Sequence, residues 1–364
     1  MKAGIVGLPN VGKSTLFNCL SNAKAQSANF PFCTIEPNIG VVNVPDKRLD
    51  VLADLVNPEK VIPATVEIVD IAGLVKGASK GEGLGNKFLG NIRETDAILH
   101  VLRCFEDDNI VHVDGSVDPV RDKETIDIEL QLKDLESTEK RRDKILRAAK
   151  TGNKDAQKEL GVLDQIIAAL EAAQNVRSIS FSYEDRISYV NALQLITDKP
   201  VMYICNVSED AAVDGNHFVN QIKEAVVTEK AQVLVLAVSI EADINELDSY
   251  EERQLFLEDI GLVEPGSAKL IRSAYHLLSL QTYFTAGEKE VRAWTVKKGA
   301  TASQAAGVIH TDFEKGFIRA EVISYKDYSD LGNEQMVKQA GKIRVEGKEY
   351  IVQDGDVMHF RFNV

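Results

Sequence analysis

The residues best suited to chemistry lie near the start of the chain, in a segment that can bind phosphate. Residues 7–15 spell G-L-P-N-V-G-K-S-T and follow a short apolar run at residues 5–6. Glycines at both ends of such a loop let successive backbone N–H groups turn toward one anion, and the following helix directs its positive end at the same anion. The spacing therefore predicts a strand, a phosphate loop and a helix, with a nucleotide as ligand.

The polar residues of this loop have distinct expected roles. Lys13 is expected to reach the β- and γ-phosphates, and the Ser14 hydroxyl is expected to bind Mg²⁺, which is the predicted cofactor. The residues predicted to bind nucleotide here are Asn10, Val11, Gly12, Lys13, Ser14 and Thr15. The alternative is a chance glycine-rich turn, but the strand pattern before the loop and the helix pattern after it argue against that alternative.

A second motif, D-x-x-G, begins at the end of a predicted strand at residues 65–69. Asp70 can hold the Mg²⁺ shell, and the Gly73 N–H can sense the γ-phosphate. Thr34, in a segment that two prolines keep extended, is the third predicted Mg²⁺ ligand. The residue after the motif is Leu74, where Ras-like enzymes carry a glutamine that orients the attacking water. Leucine cannot orient water, so either hydrolysis is very slow or another residue supplies this function.

The segment after the predicted strand at residues 201–205 bears on the choice of base. A guanine-binding protein has N-K-x-D at this point, whereas this chain has Val207 in place of the lysine and Glu209 in place of the aspartate. Of a following S-A-K motif, only Ser239 matches. We therefore predict that ATP binds at least as well as GTP, through Asn206 and the backbone around Val207, with Glu209 and Ser239 as further contacts.

Residues 122–198 differ in composition and predict an antiparallel helical hairpin inserted into the nucleotide domain. On the first helix, Ile128, Leu132 and Leu135 fall on one face. The predicted seam of the second helix, at alternating spacings of four and three, consists of Ala156, Leu160, Leu163, Ile167 and Leu170. A Thr-Gly-Asn turn joins the two helices. Just before this region, the glycine-rich residues 77–90 predict a mobile switch rather than a helix.

The turn end of the hairpin is basic, although the chain as a whole is acidic. Eight lysines and arginines lie between residues 140 and 158 against two aspartates, while the formal net charge of the chain is −14. A solvated helix face is one explanation. In so acidic a protein, however, this concentration favours a polyanionic partner such as RNA.

The last part of the chain, residues 282–364, predicts a small separate domain. A hairpin with a turn at Gly287, a helix at residues 302–309 and two strands meeting at residues 346–348 suggest a β-grasp module. The chain ends in an alternating strand at residues 358–362. No catalytic constellation is evident in this module.

Composition is ordinary for a globular protein, with 44% hydrophobic and 27% charged residues among 364. The four cysteines form no C-x-x-C pair, which is typical of reduced cytosolic thiols. No apolar run is long enough to span a bilayer, and the start of the chain leads directly into the phosphate-loop strand rather than into a signal peptide. These features predict a cytoplasmic protein that does not associate with membranes.

Taken together, the motifs G-L-P-N-V-G-K-S-T, D-I-A-G-L, G-L-G-N-K-F-L and N-V-S-E resemble those of the Obg-like ATPases of the YchF type. The resemblance covers the whole chain. It implies an α/β fold with a Ras-like P-loop nucleotide domain at residues 1–121 and 199–280. A coiled-coil arm at residues 122–198 and a C-terminal β-grasp (TGS) domain at residues 281–364 complete the implied architecture.

The same resemblance implies hydrolysis of ATP in preference to GTP, and binding to ribosomes, by a protein expected to be a monomer. Members of this family use a histidine, in the loop before the arm, in place of the missing glutamine. His112 stands at that position, whereas the other five histidines are expected to be structural. Val207 stands where we would expect leucine or methionine in the family, and this position bears on base selectivity.

Two other classes of function are compatible with these residues. One is a GTP-dependent switch that acts by binding the ribosome or nucleic acid, with incidental hydrolysis, which a clear preference for guanine would select. The other is a ribosome- or nucleic-acid-binding module in which nucleotide only stabilises the fold. A protein that never turns over, with or without ribosomes, would select that class.

Overall fold

The chain forms two compact units, which we describe from a computed structural model that covers residues 1–22, 38–71, 73, 77 and 84–363. The first unit comprises Met1–Gly40 and Glu67–Leu270, and the second comprises Val41–Val66 and Ile271–Val364. Residues 41–66, which the sequence assigned to the nucleotide domain, thus group with the C-terminal residues. The predicted division into three domains stays a prediction.

The secondary structure alternates strands and helices through the first unit and is richer in strands in the second. The strands are β1 (Lys2–Val6), β2 (Asn38–Asn43), β3 (Val61–Ile62), β4 (Thr65–Asp70), β5 (Ala97–Arg103), β6 (Val201–Asn206), β7 (Gln232–Leu236), β8 (Leu280–Ala286), β9 (Val291–Lys297), β10 (Phe317–Ser324), β11 (Arg344–Glu346) and β12 (Asp356–Phe362). The helices are α1 (Lys13–Asn22), α2 (Lys47–Val56), α3 (Leu84–Arg93), α4 (Pro119–Lys150), α5 (Lys154–Glu171), α6 (Tyr183–Asp185), α7 (His217–Ala225), α8 (Val238–Glu246), α9 (Tyr250–Asp259), α10 (Gly266–Leu277), α11 (Ala302–Ile309), α12 (Thr311–Lys315), α13 (Tyr325–Leu331) and α14 (Glu334–Gln339).

A parallel sheet in the first unit brings the predicted site segments to one edge. Its strands run in the order β4-β1-β5-β6-β7, with parallel pairing throughout. Every residue of β5 and β6 is buried, which explains their continuous apolar runs. The carboxyl ends of parallel strands share an edge, and ligands bind there in open α/β sheets. That edge receives the phosphate loop, Asp70, the loop containing His112, Asn206 and Ser239.

The predicted helical hairpin consists of α4 and α5, which the turn at residues 151–153 connects. The buried residues of α5 are Ala156, Glu159, Val162, Leu163, Ile166 and Leu170. The predicted seam was therefore wrong at Leu160 and Ile167, which are only half-buried. The chain between residues 172 and 198 forms short helical turns rather than an extension of the hairpin. Among the described residues, no helix is long and apolar enough to cross a membrane, including the 32-residue α4.

The buried face of α4 was also predicted wrongly. Ile128 and Leu132 are 49% and 37% exposed, whereas the acidic residues Asp122 and Asp134 are almost completely buried. Asp134 accepts hydrogen bonds from the backbone N–H groups of residues 196 and 197, at 3.0 and 2.7 Å. The face that packs on the rest of the unit is thus partly polar, because hydrogen bonds satisfy its carboxylates. Ile126 and Leu130 are buried on this face, but a search for apolar periodicity does not identify the buried carboxylates beside them.

The glycine-rich stretch predicted as a mobile switch is helical in its last part. Residues 78–83 lie outside the described residues, but α3 runs from Leu84 to Arg93. Phe88, Leu89 and Ile92 are buried and anchor this helix to the unit. A Cβ added at Gly90 would meet no atom within 4 Å. The burial of this apolar stripe outweighs the low helix propensity of glycine, which costs about 1 kcal/mol per residue.

The second unit contains a sheet in the order β11-β10-β12-β8-β9-β3. The helix α11 begins with a capping box formed by Thr301 and Gln304. The hydrophobic core of the second unit consists of Tyr283, Val296, Ala302, Ala305, Ala306, Ala320, Val322, Val352, Met358 and Phe360. The predicted hairpin at residues 346–348 was wrong, because β11 pairs with β10 and Ile351 forms only an isolated bridge with Thr301. Residues 347–350 are mostly polar and offer the core no second apolar strand. The predicted fold class, a P-loop nucleotide domain with a helical hairpin and a C-terminal β-grasp domain, is confirmed.

Candidate active site

The phosphate loop packs so closely on two strands that side chains at its glycines would not fit. A Cβ on Gly7 would lie 2.5 Å from the carbonyl oxygen of Val101, and one on Gly12 would lie 2.6 Å from Nδ2 of Asn206. Asn10 and Gly12 both have left-handed backbone conformations, with φ of 62° and 97°. Helix α1 begins directly after Gly12. The loop and the N-terminal turn of the helix therefore have the arrangement that binds phosphate through backbone N–H groups.

Lys13 is buried within the loop, with only 6% of the residue exposed. Its ammonium nitrogen Nζ donates a hydrogen bond to the carbonyl oxygen of Leu8 at 2.5 Å. Burial lowers the pKa of Lys13 to about 8, while the nearby charge of Asp70 acts in the opposite direction. A desolvated cation interacts strongly with an anion that enters the loop, because water does not screen the interaction.

Asp70 and Ser14 form the described part of the predicted Mg²⁺ site. Burial raises the pKa of Asp70, while the neighbouring Lys13 and the Ser14 hydroxyl lower it. Oδ1 of Asp70 is buried and has no hydrogen-bond partner among the described residues. A buried carboxylate oxygen beside a hydroxyl is the donor set that Mg²⁺ prefers, so these residues fit the ion. Thr34, the third predicted ligand, lies outside the described residues.

Gly73 lies against the phosphate loop, as its predicted role requires. A Cβ added there would lie 3.2 Å from Nζ of Lys13 and 3.2 Å from the backbone nitrogen of Pro9. Leu74 lies outside the described residues. Further along, the Gly77 N–H donates to Oε1 of Glu129 at 2.6 Å. This hydrogen bond joins the segment after the D-x-x-G motif to helix α4 of the arm.

His112 is paired with the first turns of the same arm helix. Its Nε2 lies 2.8 Å from Oδ2 of Asp122, and its Nδ1 accepts a hydrogen bond from the Asp114 N–H at 3.1 Å. Oδ1 of Asp122 also accepts from Arg121 at 3.3 Å. Burial raises the pKa of Asp122, and its bonds with His112 and Arg121 lower it. Side-chain atoms of His112, Asp114 and Asp122 that could bind a metal ion lie within 4.8 Å of one another. The hydrogen bonds described above explain this proximity without a metal ion.

The loop that carries His112 is anchored by the buried Arg103 at the end of β5. The Arg103 guanidinium donates to the carbonyl oxygens of Phe105, Asp107 and Ile110 at 3.2, 3.1 and 2.8 Å. The loop also touches the phosphate loop, since Nδ2 of Asn10 donates to the Val111 carbonyl at 3.2 Å. The neighbour of His112 in sequence therefore contacts the nucleotide-binding loop directly.

Asn206 connects the phosphate loop to the segment predicted to contact the base. Its Nδ2 donates to the Val11 carbonyl at 3.0 Å, and its Oδ1 accepts from the Val238 N–H at 3.0 Å. Val207 is buried, with 2% exposed, and its N–H donates to the carbonyl of residue 236 at 3.0 Å. Glu209 and Ser239 are exposed. Asn206 thus holds the two loops together, while the exposed polar side chains nearby are those of Glu209 and Ser239.

The tip of the arm presents its cations to solvent. Lys144, Arg147 and Lys150 are exposed, whereas Arg141 and Arg142 form ion pairs with Glu159 and Asp164 of α5. These two ion pairs have N–O distances of 2.6 and 2.5 Å. Part of the predicted basic tip therefore ties the two helices together, and part of it is available to a partner.

Sequence reasoning missed three residues that organise the site, namely Arg103, Asp122 and Glu129. An arginine directly after a fully apolar strand is a signal that could have identified Arg103 as an anchor. No comparable signal exists for Asp122 or Glu129. Their partners are ten and 52 residues away in the chain, and only the docking of α4 brings them together.

Comparisons with known proteins agree with this geometry. A family model described as "50S ribosome-binding GTPase" matches residues 2–151, and a YchF GTPase C-terminal family model, described as a protein of unknown function, matches residues 280–363. A protein named "Ribosome-binding ATPase YchF" from Haemophilus ducreyi is 59% identical and spans 100% of this chain and 99% of its own length. Its namesake from Bacillus subtilis is 56% identical over 100% of both chains.

A solved structure supports the same relationship. The YchF GTPase of Schizosaccharomyces pombe is 38% identical and matches 99% of this chain and 97% of its own, with a TM-score of 0.88. Both units of this chain are therefore present in a protein of known structure.

Proposed function

Since the chain belongs to the YchF family of P-loop NTPases, we propose that it hydrolyses ATP with Mg²⁺, at least as readily as GTP, and binds the ribosome. The observation that carries the proposal is the arrangement of the phosphate loop, where Lys13 and Ser14 lie close to Asp70 at the end of β4. Relatives of nearly identical length are named for ribosome-binding ATPase activity. We also propose that the protein acts in the cytoplasm as a monomer, with the three domains predicted from its sequence.

The phosphate site derives its chemistry from the loop and from Lys13. Backbone N–H groups between Asn10 and Thr15 bind the phosphates, and Lys13 neutralises charge on the β- and γ-phosphates. We expect the Gly73 N–H to bind the γ-phosphate, since a Cβ added at Gly73 would lie only 3.2 Å from Nζ of Lys13. Because phosphoryl transfer requires mainly positioning and charge stabilisation, this set of residues supplies most of what the reaction needs.

Mg²⁺ would be held by Ser14, Asp70 and Thr34. When bound, the ion neutralises charge on the transferring phosphoryl group. Oδ1 of Asp70 supports this assignment, because it is buried and has no hydrogen-bond partner among the described residues, which is costly unless a ligand satisfies it.

His112 is our candidate for the residue that orients or deprotonates the attacking water, in place of the inert Leu74. Its loop touches Asn10 of the phosphate loop through the Val111 carbonyl, which supports a position near the site. General-base help is typically worth about 10²- to 10⁴-fold in rate. We therefore expect His112→Ala to lower kcat by about 10²-fold while nucleotide affinity stays nearly unchanged.

The residues that follow β6 lack the pattern that selects guanine and are compatible with binding of adenine. Adenine presents an acceptor at N1 where guanine presents a donor, so a carboxylate placed for guanine repels adenine. Glu209 begins a helical turn at the surface, and no lysine precedes it. Asn206 and the backbone beside the buried Val207 are therefore the proposed contacts, with Ser239 at the opposite side of the base.

The test is a competition of ATP against GTP for the Mg²⁺-loaded protein, with and without ribosomes. We expect ATP to bind at least as well as GTP, and Lys13→Ala to abolish tight binding of both. Ser14→Ala should weaken Mg²⁺-dependent turnover. A tenfold preference for GTP, which is about 1.4 kcal/mol, would contradict the proposed base selectivity. Unchanged hydrolysis in both loop variants would contradict the site.

A further inference from the structure

Asp122 has a carboxylate that helix capping does not use. It lies in the first turns of α4 and is 1% exposed. The N-terminus of that helix is already capped by Asp118, whose side chain accepts from the Arg121 N–H at 3.0 Å. A buried carboxylate that caps nothing needs another partner, and its Oδ2 lies 2.8 Å from Nε2 of His112.

The hydrogen bonds of the imidazole define its tautomer. Nδ1 of His112 accepts from the backbone N–H of Asp114, so this nitrogen carries a lone pair. In the neutral ring the proton must then be on Nε2, which donates it to Oδ2 of Asp122. The other carboxylate oxygen, Oδ1, accepts from Arg121. Asp122 is therefore held on both sides, and it fixes which nitrogen of His112 can act as a base.

We propose that Asp122 is a positioning residue for nucleotide hydrolysis, which holds His112 in the Nε2–H tautomer so that Nδ1 receives the proton of the attacking water. The inference rests on the proposed role of His112. The water oxygen bonds to the γ-phosphorus as the bond from that phosphorus to the β–γ bridging oxygen breaks. The water proton passes to Nδ1, and the nucleoside diphosphate leaves with the bridging oxygen. The imidazolium then returns the proton to solvent.

Two features of the fold support this role. First, the Asp114 N–H is the only hydrogen-bond donor to Nδ1 among the described residues, and Asp114 itself is exposed, so water has a single hydrogen bond to replace at this nitrogen. Second, the carboxylate beside Nε2–H stabilises the imidazolium that forms when Nδ1 is protonated, as in other histidine–carboxylate pairs. Because Asp122 belongs to the helix that carries the basic tip, the arm itself sets the orientation of the imidazole.

The test is a double-mutant cycle on kcat with Asp122→Asn and His112→Ala. We expect Asp122→Asn to lower kcat about 10- to 100-fold with little change in KM, because the substitution removes the charge and leaves the volume. Asp118→Asn is the matched control, since it makes the same chemical change one turn earlier and asparagine also caps helices. This control should keep the kcat of the wild type.

In the His112→Ala background, Asp122→Asn should change kcat by less than twofold, because there is no imidazole left to position. An equal loss in both backgrounds, or no loss in the wild-type background, would overturn the inference. If His112→Ala keeps the wild-type kcat, the proposed role of His112 is wrong. If His112→Ala is slow but Asp122→Asn keeps the wild-type kcat, the role of His112 stands and only the inference about Asp122 is wrong.

A second measurement does not depend on turnover. The ¹⁵N chemical shifts of the His112 ring should report the Nε2–H tautomer in the wild-type protein and in Asp118→Asn, and a mixture of tautomers in Asp122→Asn. Thermal unfolding of each variant checks that the fold is retained. If Asp122→Asn does not fold, the tautomer of the wild-type ring alone decides, and an Nδ1–H ring would overturn the inference.

Discussion

The charged side chains at the two ends of helix α4 differ in burial and in ion pairing. At the base of the arm, Lys123 and Arg177 pair with Asp127 and Glu229 at N–O distances of 2.7 to 3.5 Å, and all four side chains are 9 to 11% exposed. The Tyr203 hydroxyl from β6 also donates to Glu229 at 2.9 Å. At the tip, Lys144, Arg147 and Lys150 are exposed, and no ion pair joins them to another described residue.

This contrast separates charges that serve the fold from charges that serve a partner. The pKa of Glu229, which burial alone would raise, is lowered because Arg177 and Lys123 stabilise its charged form. A buried network of this kind fixes how the arm leaves the sheet, because each charge needs its partners. Lys144, Arg147 and Lys150 at the tip have no such partners among the described residues. Their common positive charge therefore favours binding to a polyanion outside the protein.

The largest expected effect comes from breaking the buried network. Arg177→Met should lower the free energy of unfolding by about 3 kcal/mol, because it leaves two buried carboxylates with one cation between them. Chemical denaturation followed by far-UV circular dichroism measures this change. Arg142→Met, which removes the exposed pair with Asp164, is the control at the tip and should leave the midpoint unchanged. Equal midpoints for both variants would show that the two ends do not differ in their contribution to stability.

Acid should weaken the base of the arm through His100, which is fully buried next to this network. Burial lowers the pKa of His100 from 6.5 to about 4, with the charges of Asp127, Lys123, Arg177 and Glu229 as smaller influences. The unfolded chain therefore takes up this proton below pH 6.5, whereas the folded protein does so only near pH 4. Protonation of His100 therefore favours the unfolded state. Its contribution to the free energy of unfolding is fully present above pH 6.5, and up to about 3 kcal/mol is lost as the pH falls to 4.

The variant that tests this effect is His100→Phe, which cannot be protonated and keeps an aromatic ring beside Tyr203. Its stability between pH 6.5 and 4 should decline less than that of the wild type. His217→Gln, at an exposed position, should decline as the wild type does. Parallel curves for wild type and His100→Phe would show that another group causes the acid sensitivity.

The smallest expected effect concerns the tip. Reversing Lys144, Arg147 and Lys150 to glutamate should weaken ribosome binding about tenfold and flatten its salt dependence, because fewer counterions are released. Hydrolysis by the free protein should persist. Sedimentation with ribosomes across a salt series measures both quantities. Reversal of the exposed Lys289, Lys315 and Lys348 in the second unit is the charge-matched control, and a stronger effect of that control would assign the ribosome contact to the C-terminal unit.

Local motifs were predictable because their chemistry depends on neighbours in the chain. Helix α1 runs from Lys13 to Asn22, as the phosphate-loop pattern predicts, and β4 ends at Asp70. The capping box at Ser249 and Glu252 starts α9, as a Ser-x-x-Glu pattern predicts. The roles of Thr34 and Leu74 stay predictions, since both lie outside the described residues.

Predictions failed where long-range packing outweighed local preference. Ile128 and Leu132 were expected on the buried face of α4, but both are exposed. Ile126 and Leu130 are buried in their place, beside the carboxylates of Asp122, Asp127 and Asp134. Hydrogen bonds and ion pairs from distant segments make burial of these carboxylates tolerable. Helix α3 formed despite its glycines for a related reason, since three buried apolar side chains outweigh the propensity of two glycines.

The sequence by itself determined the nucleotide loop, the order of the site segments and the basic tip, because each depends on residue types at fixed short spacings. Only the tertiary structure decided which distant groups meet: His112 with Asp122, Gly77 with Glu129, and Asn206 with the phosphate loop. The physical reason is that a hydrogen bond between residues far apart in the chain depends on how strands and helices pack. That packing is the summed result of many weak contacts, and no single local pattern encodes it.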